Sequence, residues 1–200
     1  MTLAPLNDEQ LHQIRDERKD QIIAAALNVF ARRGIIGTKM SMIAAEAGIS
    51  HGLLYHYFKS KEELFNTLVQ GAMIESQAAM RSLYDLPGSA IDKIRALTEE
   101  ILDDRGAPYF MLIHQARTSD GVPEKARQLV EQYSMKTFVD HLLPLFTEGQ
   151  QAGEIAPGNL EHLIASYLSV LSGLMVLNTQ EDSAYRKPEI DVLLRMVTGR

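Results

Sequence analysis

Apolar positions recur every three or four residues along most of the chain, and no stretch alternates long enough to read as a strand. Leu11, Ile14, Ile22, Ala26, Leu27 and Phe30 mark one face of a first helix. Asn7 or Asp8 is placed to cap it, with Gln10 completing a capping box if Asn7 is the cap. Arg32 and Arg33 suit the carbonyl end of its dipole, and Gly34 stops it. Ser60 and Glu63 form an S-x-x-E box opening another helix, with Leu64, Phe65, Leu68, Val69, Ala72 and Met73 on one face. It runs to about Leu83, before DLPGS (85–89) breaks the pattern. Further helices are expected from Ile91 to about Asp104, over Tyr109–Thr118, and from Glu124 to about Gln150 with a kink at Pro144. The last two run from Leu160 to about Thr179 and onward from Pro188, the latter with Ile190, Leu193, Leu194 and Val197 on one side. The fold class is all-α.

Residues 40–59, MSMIAAEAGISHGLLYHYFK, read as two short helices joined by a tight turn. Ala44 supplies the small side chain where two steeply crossed helices approach, and Gly48 tolerates the positive φ of the turn. Ile43, Ala47, Ile49 and Leu54 take the inward positions, while Ser50 caps the second helix. His51, Gly52, Leu53, Tyr55 and His56 then face outward. That is a helix-turn-helix with an exposed reading face.

The stretch resembles the TetR family of transcriptional regulators. The likeness runs through Ile22, FARRG (30–34), Thr38, IAAEAGIS (43–50), LYHYF (54–58) and SKEELF (60–65), about a quarter of the chain. It implies a three-helix DNA-binding head over residues 1–65 and a helical effector-binding and dimerisation domain over 66–200. It places Tyr55 and His51 near base edges or the neighbouring backbone, and Thr38, Ser41, His56 and Lys61 at phosphates or bases. Ser50 and Gly52 share that DNA-facing surface. Lys61 is badly placed for its own helix dipole, which either a nearby phosphate or plain solvent accommodates. Leu53 departs from the small hydroxyl residue common at its position, which puts one phosphate contact in doubt. Tyr57 and Phe58 read as packing residues.

Charge first argues against a nucleic-acid partner, since the net formal charge is −6. Residues 1–61 nevertheless carry +2 and residues 62–200 carry −8, so a basic head sits on an acidic body. Without cysteine, neither a disulfide framework nor a thiolate metal site is available. MTLAPLNDEQ lacks a basic segment followed by an apolar run, so no signal peptide is expected. The apolar run Leu163–Leu177 reads as too short to span a bilayer and carries Ser166, Ser169 and Ser172. A soluble, cytoplasmic protein with no membrane partner is expected.

No Gly-rich phosphate loop, G-x-S-x-G or cysteine nucleophile occurs, so no enzyme, cofactor or metal site is expected. His51 and His56 are five apart and do not share a helix face as metal ligands would. The resemblance implies an effector cavity in the body. Its candidate lining is Tyr84, Tyr109, Phe110 and His114 from the first part, and Met135, Phe138, Asp140, His141, Leu142 and Tyr167 from the second. Asp140 and His141 beside Pro144 are the sharpest of these, because packing alone does not justify polar groups there. The dimer interface falls to the last two helices through Leu168, Ser172, Leu193 and Val197, with a small-residue stripe of Ala165, Ser169, Ser172, Gly173 and Val176. The expected function is a homodimeric repressor of palindromic double-stranded DNA, released by a small-molecule effector. The alternative is a DNA-bound adaptor that recruits or blocks a protein partner without a ligand.

Overall fold

The computed structural model describes residues 8–178 and 187–199, and among these it contains ten α-helices, one 3-10 turn and no strand. The helices are α1 (Asp8–Gly37), α2 (Met40–Glu46), α3 (His51–Tyr57), α4 (Lys61–Ser82), α5 (Ala90–Ile101), α6 (Ala107–Thr118), α7 (Glu124–Glu131), α8 (Met135–Gln151), α9 (Leu160–Asn178) and α10 (Ile190–Thr198). The 3-10 turn, Leu83–Asp85, follows α4. The cap expected at Asn7 lies outside the described residues.

Local chemistry accounts for most boundaries. Gly34 breaks α1 with φ 66° and ψ 173°, a conformation that a Cβ would resist. The carbonyls freed there are met by side chains. Thr38 Oγ1 donates to Gly34 O at 2.6 Å, and Lys61 Nζ donates to Ile35 O at 2.7 Å and Thr38 O at 3.0 Å. Ser60 Oγ accepts from Glu63 N–H at 3.1 Å, whereas the Glu63 carboxylate reaches the Lys59 N–H at 2.8 Å instead of that of Ser60. Before α5, Ser89 and Asp92 form a reciprocal capping box.

The helix expected over Glu124–Gln150 is two helices. The chain breaks at 132–134, and Ser134 caps α8 by accepting from Thr137 N–H at 3.3 Å. Pro144 sits inside α8 without ending it. At the end of α8, a Cβ on Gly149 would stand 2.7 Å from Ile155 and 2.9 Å from Ala90, so glycine lets three segments meet.

Two hydrophobic cores organise the molecule. One gathers α1, α2, α3 and the first part of α4 around Phe30, Ile43, Leu54 and Phe65, then continues into Leu112 and Ala116 of α6 and Ala126 and Val130 of α7. Phe30 and Phe65 meet edge to face at 5.1 Å. The second joins α5, α8, α9 and α10 around Ile94, Leu142, Phe146, Tyr167 and Leu194. Helices α4 and α6 therefore each have one part in the head and another facing the body.

Helix α9 corrects one expectation. Leu160–Leu177 is long and apolar enough to cross a membrane by length and composition, beyond the shorter run read from the sequence. Here Ile164, Tyr167, Leu171 and Met175 are buried in the second core, while Ser166, Ser169, Gly173 and Leu177 face outward.

Candidate DNA interface and effector cavity

The turn between α2 and α3 is built by Gly48 at φ 63° and by Ile49 N–H donating to Ala44 O at 3.0 Å. Ala44 is 4% exposed and Ile43 and Leu54 are fully buried. A further brace comes from α1, where Gln21 Nε2 donates to Ala47 O at 2.7 Å. Sequence reading missed Gln21, because a polar residue on a charged helix carries no mark of its distant acceptor. Arg32 and Glu46 add a surface ion pair between α1 and α2 at 2.8 Å.

Ser50 Oγ accepts from Leu53 N–H at 3.2 Å and opens α3. His51, Gly52, Leu53, Tyr55 and His56 are exposed, while Phe58 is buried and Tyr57 packs against the head core. The Tyr55 and His51 rings meet edge to face at 4.8 Å, one turn apart on the outer face. Ser41 is exposed near the start of α2. Two neighbours behave differently. Thr38 is 1% exposed and its hydroxyl is spent on Gly34 O, so its side chain is a structural cap instead of a phosphate contact. Lys61 is half-buried, and its ammonium is held by two carbonyls at the end of α1, which explains a cation in the first turn of α4 without a phosphate.

In the body, a cavity of about 780 Å³ lies between α4, the α5–α6 link, α6, α8 and α9. Tyr109, Phe110, His114, Met135 and Phe138 line it, and Phe110 and His114 stack at 6.2 Å. Met73, Ser76, Ala79 and Met80 of α4 form the facing wall, with Ile113, Leu171 and Met175. The charged lining is Glu75, Glu100, Asp103, Arg105 and Arg117. Burial and the nearby Glu75 charge both raise the Tyr109 pKa. Hydrogen bonds from Arg105 hold the Asp103 carboxyl down at about 2.

Several expected lining residues are elsewhere. Asp140 is exposed and paired with Lys136 one turn earlier at 2.7 Å. His141 Nε2 lies 3.1 Å from Met80 O, and its ring meets Tyr84 edge to face at 5.6 Å. The Tyr84 hydroxyl donates to His141 O, so Tyr84 and His141 staple α8 to the end of α4 outside the cavity. Leu142 is buried in the second core. Tyr167 is 2% exposed and off the cavity wall. Since the Thr98 hydroxyl donates to Ile94 O at 2.6 Å, Tyr167 is the donor in the 2.8 Å bond to Thr98 Oγ1.

The expected dimer residues shift as well. Leu193 and Val197 are 5% and 0% exposed inside their own chain, and Leu168 and Ser172 line the cavity. The outward face of α9 and α10 keeps Ser169 and Gly173 of the expected stripe and adds Ser166, Leu177, Val192 and Met196. Ser169 Oγ donates back to Ala165 O at 2.7 Å, so its hydroxyl is satisfied within its own helix. Among the described residues no group of three or more His, Asp or Glu side chains is gathered to hold a metal ion.

A helix-turn-helix head with an exposed second helix, joined to a hollow helical body, defines a DNA-binding regulator. Residues 22–68 match the family described as bacterial regulatory proteins, tetR family. The uncharacterized HTH-type transcriptional regulator YfiR of Bacillus subtilis is 26% identical over 149 residues, 72% of this chain and 70% of its own length. The HTH-type transcriptional repressor KstR2 of Mycobacterium tuberculosis is 33% identical over 82 residues, 41% of each chain. The crystal structure of AibR in complex with isovaleryl coenzyme A and operator DNA shares the fold, with a TM-score of 0.69 and 22% identity over 90% of this chain and 98% of that one. The likeness to the TetR family of transcriptional regulators thus rests on the head, residues 22–68, and the solved structures share the fold of the rest.

Proposed function

We propose that the protein is a homodimeric repressor, working in the cytoplasm, whose two α3 helices read the halves of a palindromic operator and whose body cavity takes a small effector that releases the DNA. One observation carries the reading: α4 and α6 bound the cavity and also belong to the head core. A ligand that spreads α4 from α6 changes the seat of the head. Two heads must sit about 34–36 Å apart to enter successive major grooves. The effector releases DNA only by its preference for the mis-spaced form, and a hundredfold loss of affinity needs about 2.7 kcal/mol of coupling.

The KstR2 relative, a transcriptional repressor, supports repression, and AibR, solved with isovaleryl coenzyme A and operator DNA, supports a protein that takes both a small molecule and DNA. The outward face of α9 and α10 supplies the two-fold contact, where Gly173 allows close approach and Leu177, Val192 and Met196 supply apolar area. The adaptor reading asks for a filled body, and a cavity of about 780 Å³ weighs against it.

The test begins by selecting DNA from a random pool with the purified protein. Enrichment of one palindrome bound by a dimer, followed by its release when a thermal-shift hit is added, is the expected result. Enrichment of no palindrome, or release by none of the compounds that stabilise the protein, sinks the reading.

A further inference from the structure

The charged groups of the cavity are divided between its two ends. Glu100, Asp103 and Arg105 belong to the end of α5 and the link before α6, and Glu75 lies close enough to Tyr109, in the first turn of α6, to act on its ionisation. Arg105 is already neutralised there, since its Nε and Nη2 donate to the two Asp103 oxygens at 2.9 and 3.0 Å. Glu75 and Glu100 are exposed and keep their water. Arg117 stands alone at the other end of α6, eight residues beyond Tyr109, which is about 12 Å along a helix axis.

Arg117 has five N–H donors, and the bond it makes among the described residues is to Tyr133 O in the link between α7 and α8. No carboxylate among the described residues pairs with it. Arg117 is itself exposed; the partial burial of its side chain against the cavity lowers its pKa, and no anion offsets that loss. The wall running from it is apolar: Ile113 one turn back on α6, Met135 and Phe138 in the first turn of α8, and Leu171 of α9.

We propose that the cavity takes an elongated apolar carboxylic acid, bound as its carboxylate at Arg117 with the tail lying along α6 between Ile113, Phe110 and Leu171. A planar guanidinium matches a carboxylate through two parallel hydrogen bonds, and a single positive charge at that end suits a single negative one. A cationic ligand gains less at the opposite end, where the acidic groups are hydrated or already paired. The proposal rests on the cavity being the effector site, and its test separates the two.

The probe is N-phenyl-1-naphthylamine, a neutral dye, displaced by dodecanoate, dodecan-1-ol or dodecylammonium below their micelle concentrations. In the wild type the acid displaces the dye at least about tenfold more tightly than the alcohol, as a charge-assisted hydrogen bond implies, with the ammonium weakest. Arg117→Gln, which keeps one donor for Tyr133 O, removes the acid's advantage and leaves the alcohol unchanged. Arg117→Lys, which keeps the charge but not the fork, retains part of it. An ammonium that binds tightest, or an acid preference that survives Arg117→Gln, overturns the assignment while leaving an effector cavity. If the dye or all three chains fail to bind, the cavity reading falls and the carboxylate falls with it.

Discussion

The side-chain amide of Gln115 donates to the main-chain carbonyl of Ala31 at 3.0 Å, tying α6 of the cavity wall to α1 of the head. His114, the residue before it, lines the cavity, so adjacent positions on one helix face the two halves of the molecule. The Gln115 Oε1 is buried without a hydrogen-bond partner and lies against Gly34, where a Cβ would be 3.7 Å away. Gln115→Leu loses one hydrogen bond but also removes the unpaired oxygen, for a net loss of about 1 kcal/mol. Gln115→Glu sets a carboxylate against the Ala31 carbonyl and costs more, about 2–3 kcal/mol. Urea unfolding followed by circular dichroism measures both. A glutamate variant as stable as the wild type would remove this bond from the head–body joint.

Lys61 caps the broken end of α1, so its loss acts first on stability. Lys61→Ala lowers the melting temperature, by the equivalent of about 1–2 kcal/mol for two charge-assisted bonds to carbonyls. The salt dependence of DNA binding then stays within about half a unit of the wild-type slope, against about one unit for a lost phosphate contact. A fluorescence-anisotropy salt titration decides it. A slope flattened by a full unit at unchanged stability returns Lys61 to the DNA.

Tyr55 touches His51 on the outer face and is 45% exposed. Tyr55→Ala therefore changes stability by no more than about 0.5 kcal/mol, as at other exposed positions. If Tyr55 reads a base, the same change reduces discrimination at one operator position by about 1–3 kcal/mol. Relative affinities across single-base operator variants report this. An unchanged ranking places Tyr55 outside the readout.

Residues of α10 split by direction. Leu193 is buried in its own chain, and Leu193→Ala costs about 2–5 kcal/mol of folding stability. Met196 is 40% exposed, and Met196→Glu leaves the monomer folded while weakening self-association. Sedimentation velocity across a concentration series distinguishes them. A Met196→Glu protein that dimerises as tightly as the wild type moves the interface off this face.

The Asp103 carboxyl, held by Arg105 at about 2 against an ordinary 3.8, gives the sign of one acid effect. A depressed native pKa means that the contribution is complete above the ordinary value and disappears as pH falls toward about 2. Asp103→Asn removes that part of the pH dependence of the melting temperature. Carbon-13 titration of the carboxyl checks the premise, and a midpoint near 3.8 rejects it.

The helix-turn-helix was legible because its requirements are local: a glycine at φ 63°, a small residue at the crossing and a serine cap within seven positions. The break before α8 was hidden because the apolar period continues across it, and Ser134 looks like any surface serine until its bond to Thr137 is seen. Cavity and core residues share a composition, which is why Tyr109 and Phe138 could not be told from Tyr167 by type. Of the positions expected at the α9–α10 contact, Leu168, Leu193 and Val197 turn inward while Ser169 and Gly173 of the small-residue stripe face out, since a helix that is apolar nearly all round does not say which side its own chain covers. Asp140 and His141 looked out of place beside Pro144, yet Lys136 and Met80 O, one turn away and on another helix, account for them.

The end of α1 is finished by borrowed groups: Thr38 from the following turn, Lys61 from α4 and Gln115 from α6. Its core is likewise completed by Leu112, Ala116, Ala126 and Val130 from beyond α5. Anyone exchanging reading modules between such proteins to build a chimeric biosensor is therefore grafting a surface and not cutting a linker. A splice near residue 65 carries over the helix-turn-helix but leaves behind its Gln115 bond and part of its floor. Such a chimera works only when those few positions of α6 and α7 travel with the head.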